Sequence, residues 1–354
     1  MESLRNFEKM IWVLLACATA VKSDYVNFYV NDNRAGNILA CPQNKLCTPI
    51  DYCPDVVSLV NEGTLPVHRF RQAVCGYIGT SPKVCCNSPG VVKNNPYDPR
   101  ALDPKAECGK TLVRSNVITI GSFPFLARIG FINLSDGTMT YPCTGTIINE
   151  RTILTTATCA LATSEDHKLH SVMLGDFDTS ENPDCNPLFC AHCAPSYNIS
   201  FVVKHPNFEA EKFERNIALI RLDESIIFTL TIQPICYLDR PYITVGSQST
   251  LIGWGSMSND KEQSPPVQQS LPMRLLRLQD CAEFVNQGMS VEMCAIGTQD
   301  PCTGFSGSPL IKRDGNGYSV IGILSFGVTC ETNKNSPSVF VNVQKYARWI
   351  AENS

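Results

Sequence analysis

From residue 108 onward, apolar side chains come in short β-branched and aromatic runs separated by turn residues. The runs at 171–174, 250–254, 318–326 and 339–343 predict strands. Many short strands of this kind predict an all-β sandwich or barrel. The pattern changes at the end, where Val343, Tyr346, Ala347 and Ile350 recur at helical spacing and predict a terminal amphipathic helix. At the other end an apolar run from Met10 to Ala20 follows Arg5 and Lys9 and leads into small residues. That order reads as a secretory signal peptide over 1–23, cut after Ala20 or after Ser23. Eleven apolar residues fall well short of the ~20 needed to span a bilayer, and no later stretch is long and apolar enough. The segment 87–107 is polar and rich in proline and asparagine, and reads as a linker. No internal repeat is present.

Composition alters this picture mainly through cysteine. The 354 residues suffice for one sizeable core and a smaller module. Charged residues are 18% and the net charge is −4, which excludes an electrostatic footprint for nucleic acid or an anionic membrane. The 18 cysteines of a secreted chain are expected to form disulfides. Cys17 leaves with the leader, so an odd number remains and at least one thiol is unpaired within the chain or paired outside it. Cys41, Cys47, Cys53, Cys75, Cys85 and Cys86 crowd into fewer than fifty residues. So short a segment buries little apolar surface, and three bridges would be its main constraint. Cys185, Cys190, His192 and Cys193 offer zinc-type ligands, but their irregular spacing and the oxidising route favour disulfides. The sequons at Asn133 and Asn198 predict exposed glycosylation sites.

The cysteine spacing over 41–86, ending in adjacent cysteines, resembles the CLIP domain of arthropod proteases. Residues 108–354 resemble a chymotrypsin-fold serine protease domain. The resemblance rests on Phe123-Pro124-Phe125, on Ile153-Leu154-Thr155-Thr156-Ala157-Thr158-Cys159 and on Asn216-Ile217-Ala218-Leu219-Ile220-Arg221-Leu222. Further landmarks are Gly253-Trp254-Gly255, the segment from Cys302 to Leu310, Ser325-Phe326-Gly327 and Trp349-Ile350. The resemblance implies a double six-stranded β-barrel with a C-terminal helix, preceded by the small CLIP domain. It also implies the disulfides Cys41–Cys85, Cys47–Cys75, Cys53–Cys86, Cys108–Cys236, Cys143–Cys159, Cys185–Cys193, Cys281–Cys294 and Cys302–Cys330. Cys190 is then the odd thiol, free or bonded to a second chain.

The departures from the family fall on its chemistry. Such enzymes use a serine nucleophile, a histidine base and an orienting aspartate. Ser306 stands at the nucleophile position, but Thr158 stands at the histidine's and Asn216 at the aspartate's. A threonine hydroxyl cannot accept a proton near neutral pH, and a neutral amide cannot stabilise an imidazolium. Loss of one triad member costs on the order of 10⁴ to 10⁶ in turnover. In the oxyanion and activation region, Gly304 is followed by Phe305 where the family carries an aspartate that pairs with the ammonium freed by activation. The family's activation sequence is absent too, and Lys110-Thr-Leu-Val-Arg-Ser-Asn116 stands in its place. A displaced base would have to be His167, His170 or His205, and loop histidines are more often surface residues than relocated bases. Asp300 matches the base of a specificity pocket for lysine or arginine, with Gly327 on one wall. Ser338 replaces the other wall glycine and narrows the slot, so Asp300 reads as a relic.

The resemblance therefore implies a secreted, haemolymph pseudo-protease that binds CLIP-domain proteases or prophenoloxidase in a melanisation-type immune cascade. No cofactor and no metal are expected. The alternative is a residual trypsin-like endopeptidase, cleaved after Lys110 or Arg114 and using Ser306.

Overall fold

The structure is a computed structural model. It describes residues 41–42, 45–50, 53, 56, 59, 69–70, 73–78, 81–87, 108–111, 118–162, 164, 166–185, 190–229, 231–237, 243–256, 266–282, 288–299, 301, 304–314, 317–327 and 336–354. The leader, the linker beyond residue 87, Arg114, Asp300, Cys302 and Cys330 lie outside the described residues. Two compact units divide the chain, one of Met1–Asn94 with Glu181–Cys193 and one of Asn95–Ser180 with Ala194–Ser354. No helix among the described residues is long and apolar enough to cross a membrane.

The smaller unit is built on three antiparallel strands: β1 (Lys45–Pro49), β2 (Val74–Ile78) and β3 (Ser81–Asn87), with β3 in the centre. Ile50, Cys53, Phe70, Val84 and Cys86 form its small apolar cluster. Disulfides join Cys41 to Cys85, Cys47 to Cys75 and Cys53 to Cys86, and supply the constraint that so small a core lacks. In the segment Glu181–Cys193, Cys185 bonds Cys190, not Cys193 as the resemblance implied. The cause is local: a bridge pairs 185 with 190, and the Ala191 N–H donates to the Asp184 carbonyl at 2.8 Å, closing a tight loop. Their Cα atoms stand 4.1 Å apart. Cys193 is itself disulfide-bonded, and no described cysteine is free. Cys190 is therefore neither the odd thiol nor a link to a second chain, and the zinc-type set has lost its thiolates.

The larger unit holds two closed antiparallel barrels. The first comprises β4 (Leu126–Asn133), β5 (Met139–Asn149), β6 (Thr152–Thr155), β7 (His167–Leu174), β8 (Ser196–Lys204) and β9 (Ala218–Leu222), closed in the order β4-β5-β6-β9-β8-β7. The second comprises β10 (Gln248–Gly253), β11 (Gln269–Leu275), β12 (Met293–Gly297), β13 (Pro309–Asp314), β14 (Gly317–Phe326) and β15 (Ser338–Asn342), in the order β10-β11-β12-β15-β14-β13. Closure pairs every strand on both sides and leaves no edge, which decides for barrels over a sandwich. Ile129, Ile147, Ile153, Val172 and Ile220 fill the first barrel. Leu251, Met273, Leu310, Ile321 and Phe340 fill the second. A third cluster joins them, with Phe125, Leu154 and Leu219 packed with Ile252, Ile323 and Val341. Disulfides Cys143–Cys159 and Cys281–Cys294 brace one barrel each.

Among the described residues this unit also carries the helices α1 (Ala157–Ala160), α2 (Leu278–Ala282) and α3 (Val343–Asn353). Val343 opens α3 and does not extend the preceding strand, because the Asn342 side chain caps the helix by accepting from the Gln344 N–H. Val343, Ala347 and Ile350 are its buried stripe. The His205 ring packs on Tyr346 and Trp349 of α3, with centroids 5.3 and 5.4 Å apart. The Tyr346 hydroxyl donates to Glu292 at 2.5 Å, and burial with that carboxylate holds the phenol well above its ordinary pKa.

The segment 108–111 is stitched to the barrels. Cys108 bonds Cys236, the Gly109 N–H donates to the Pro234 carbonyl, the Tyr318 N–H donates to the Gly109 carbonyl, and the Thr111 hydroxyl donates to Gly121. A protease must draw its substrate out of such bonds before cutting. Limited trypsin digestion is therefore expected to spare the Lys110–Thr111 bond while the fold holds, and a fragment beginning at Thr111 in mass spectra would contradict this.

His205 supplies a pH prediction. Partial burial lowers its pKa below the ordinary 6.5, Arg215 lowers it further and Glu292 opposes. The unfolded chain then takes up a proton that the folded chain resists, so stability falls as pH drops below about 6.5. His205→Phe should flatten the decline in Tm between about pH 7 and pH 5, read by thermal melts.

Candidate functional site

Ser306 sits on a tight turn that leads into β13. Gly304 and Gly307 flank it at φ +90° and +77°, a backbone region that favours glycine. A Cβ on Gly307 would lie 2.4 Å from the Thr144 carbonyl and 2.5 Å from Thr155 Oγ1, so the turn fits closely against β5 and β6. Four backbone bonds hold it: Thr144 N–H to the Ser306 carbonyl (2.9 Å), Gly307 N–H to Leu324 (3.1 Å), Ser308 N–H to Phe305 (2.9 Å) and Leu324 N–H to Ser308 (2.9 Å). The Ser306 side chain is exposed, and its hydroxyl makes no hydrogen bond among the described residues.

Thr158 and Asn216 meet beside this turn. Thr156 caps α1, its hydroxyl accepting from the Cys159 N–H at 3.3 Å, and so sets Thr158 one residue into the helix. Asn216 is fully buried just before β9. Its Oδ1 accepts from the Thr158 N–H at 2.9 Å, and its Nδ2 donates to Thr158 Oγ1 at 3.1 Å and to Ser325 Oγ at 2.9 Å. The Thr158 hydroxyl donates onward to Thr156 Oγ1 at 3.2 Å. Both amide hydrogens and the amide oxygen are thus engaged. The network is neutral throughout, with no group that takes up a proton near pH 7.

The three candidate histidines stand elsewhere. His205 faces α3 and accepts from the Asn207 N–H, His167 contacts Ser164 at the start of β7, and His170 is exposed on that strand. None of these three bonds Ser306. Phe305, beside the serine, is fully buried in the second barrel's core. A Cβ on Gly255 would lie 1.9 Å from its ring and one on Gly253 3.0 Å away, so the ring lies on the backbone of 253–255.

Ser338 is 2% exposed and its Oγ comes within 3.7 Å of where a Gly327 Cβ would be, with the Pro301 carbonyl at 3.8 Å. Phe213 packs on Phe326 with centroids 4.9 Å apart. Phe213 and Arg215 adopt φ +52° and +50° ahead of Asn216, strain on the order of 1–3 kcal/mol each. Periodicity carries no signal for a phenylalanine in that region, so the sequence did not point to Phe213. The sequon residue Asn198 is exposed on β8, and Asn133 is half-buried in the β4–β5 turn with its Oδ1 accepting from the Ser135 N–H and hydroxyl.

Asn216→Ala strips partners from the Thr158 N–H and the Ser325 hydroxyl at a buried position. It is expected to cost about 1–3 kcal/mol, measured by urea unfolding, and full retention of stability would show that the network adds nothing.

The family described as Trypsin matches residues 112–350, and that described as Regulatory CLIP domain of proteinases matches residues 43–86. Phenoloxidase-activating factor 1 of Holotrichia diomphalia is 31% identical over 356 residues, covering 93% of this chain and 96% of the relative. Phenoloxidase-activating enzyme 1 of Spodoptera litura is 28% identical over 339 residues, covering 86% and 89%. Melanization protease 1 of Drosophila melanogaster is 26% identical over 404 residues, covering 98% of both. With two closed six-stranded barrels, a C-terminal helix and a disulfide-bonded N-terminal sheet, the chain belongs to the trypsin family and carries a regulatory CLIP domain.

Proposed function

We propose that this chain is a secreted, non-catalytic member of its family that acts by binding in an extracellular proteolytic cascade of the phenoloxidase-activating, melanisation type. The observation that carries the reading is the closed hydrogen-bond network of Thr158, Asn216 and Ser325, with no base hydrogen-bonded to the exposed Ser306 hydroxyl among the described residues. Without a base the serine is an ordinary alcohol, and a loss on the order of 10⁴ or more in turnover follows. The relatives' names supply the cascade, as two are called phenoloxidase-activating and one a melanization protease. The partner is a CLIP-domain protease or a prophenoloxidase met in haemolymph, docking on the β-domain loops or on the CLIP module.

The rival is a residual endopeptidase. It keeps the nucleophile and the glycine turn around it, so it expects Ser306 to react once the chain has been cut. A fluorophosphonate probe separates the two. The native chain is expected to stay unlabelled before and after trypsin treatment, whereas Thr158→His with Asn216→Asp should gain labelling at Ser306. Labelling of Ser306 in the native chain would overturn the reading. In a reconstituted cascade a binding cofactor raises phenoloxidase activity, and a decoy that sequesters substrate lowers it.

A further inference from the structure

We infer that Phe305 is a positioning residue that holds the Ser306 turn in its final form in the uncut chain, so that the face around Ser306 is built without proteolytic activation. Among the described residues the turn has one large side-chain anchor, and it is apolar. Phe305 is among the largest fully buried side chains, packed with Leu251, Met273, Leu310, Leu324 and Phe340 and lying on the backbone at 253–255. That packing is non-directional and uses only residues of the second barrel, so it asks for no charged partner brought from elsewhere.

The two glycines let the backbone reverse on either side of this anchor, and the resulting hydrogen bonds run to both barrels. Thr144 on β5 is bound to Ser306, and Leu324 on β14 is bound to Gly307 and Ser308. The turn is therefore fastened at three places once the ring is seated. A buried carboxylate at 305 would instead need a buried cation beside it before the turn could close. A second observation agrees: Thr111, at which a new end cut after Lys110 would begin, donates through its hydroxyl to the Gly121 carbonyl at 3.0 Å, and Gly109 just before the cut is bonded to Pro234 and Tyr318.

The bearing of this device on function rests on the binding reading above, but the order of the turn does not. Hydrogen exchange of the full chain, intact and after limited trypsin cleavage within 87–115, tests it at the Thr144, Gly307, Ser308 and Leu324 amides. Protection is expected to agree within about twofold in the two forms. A rise of about tenfold or more on cutting would show that cleavage orders the turn and would overturn the proposal. Phe305→Leu should keep the protection, while Phe305→Asp should lose it at these four amides and leave β8 and β9 unchanged. If Phe305→Asp does not fold, the comparison of intact and cut native chains still decides. Failure of the binding reading would show instead as fluorophosphonate labelling, with exchange unaffected.

Discussion

The apolar seam between the two barrels is the constraint on which the rest of the larger unit depends. Phe125, Leu154 and Leu219 meet Ile252, Ile323 and Val341 there. Each such side chain contributes roughly 1.5–3 kcal/mol when fully buried. The seam does more than stabilise, because it sets the register of one barrel on the other. Thr158 on α1 and Asn216 just before β9 come with the first barrel, whereas Ser306 just before β13 and Ser325 on β14 come with the second. Only with the seam closed does the Asn216 amide reach Ser325, and only then does the Thr144 N–H reach the Ser306 carbonyl.

Within that frame, the site is held by neutral hydrogen bonds and by packing. Asn216 is fully buried yet fully partnered, which is the condition under which a buried polar group is tolerated. Phe305 occupies the core without any polar requirement. The Ser306 side chain is exposed, and its hydroxyl makes no hydrogen bond among the described residues.

Ionic groups survive where they fasten the frame. Arg128 pairs with the buried Asp176 and lies over the Tyr141 ring at 4.2 Å. Burial nonetheless raises the Asp176 pKa, with Arg128 pulling the other way, so the pair ranks as a geometric latch more than as a source of stability. The latch places the next carbonyl, that of Phe177, which accepts from the Trp254 indole at 3.0 Å and from the Gln268 N–H at 3.0 Å. It thereby ties the loop after β7 to the second barrel.

The sequence by itself determined the elements, because short alternating runs, a helically spaced end and clustered cysteines each report a local requirement. It also determined the chemistry's raw materials, since Thr158, Asn216, Phe305 and Ser306 are legible as residue types at motif positions. Three things lay beyond it. The loop of Cys185 and Cys190 was decided by a local bridge and a backbone bond that spacing does not encode, against the Cys185–Cys193 pairing implied by resemblance. The partnership of Asn216 with Ser325 joins residues more than a hundred apart, and no periodic pattern carries so distant a contact. The left-handed Phe213 and Arg215 run against local preference, and only surrounding tertiary contacts hold a side-chain-bearing residue there. Local rules thus named what stands at the site, and packing between distant strands decided what those residues touch.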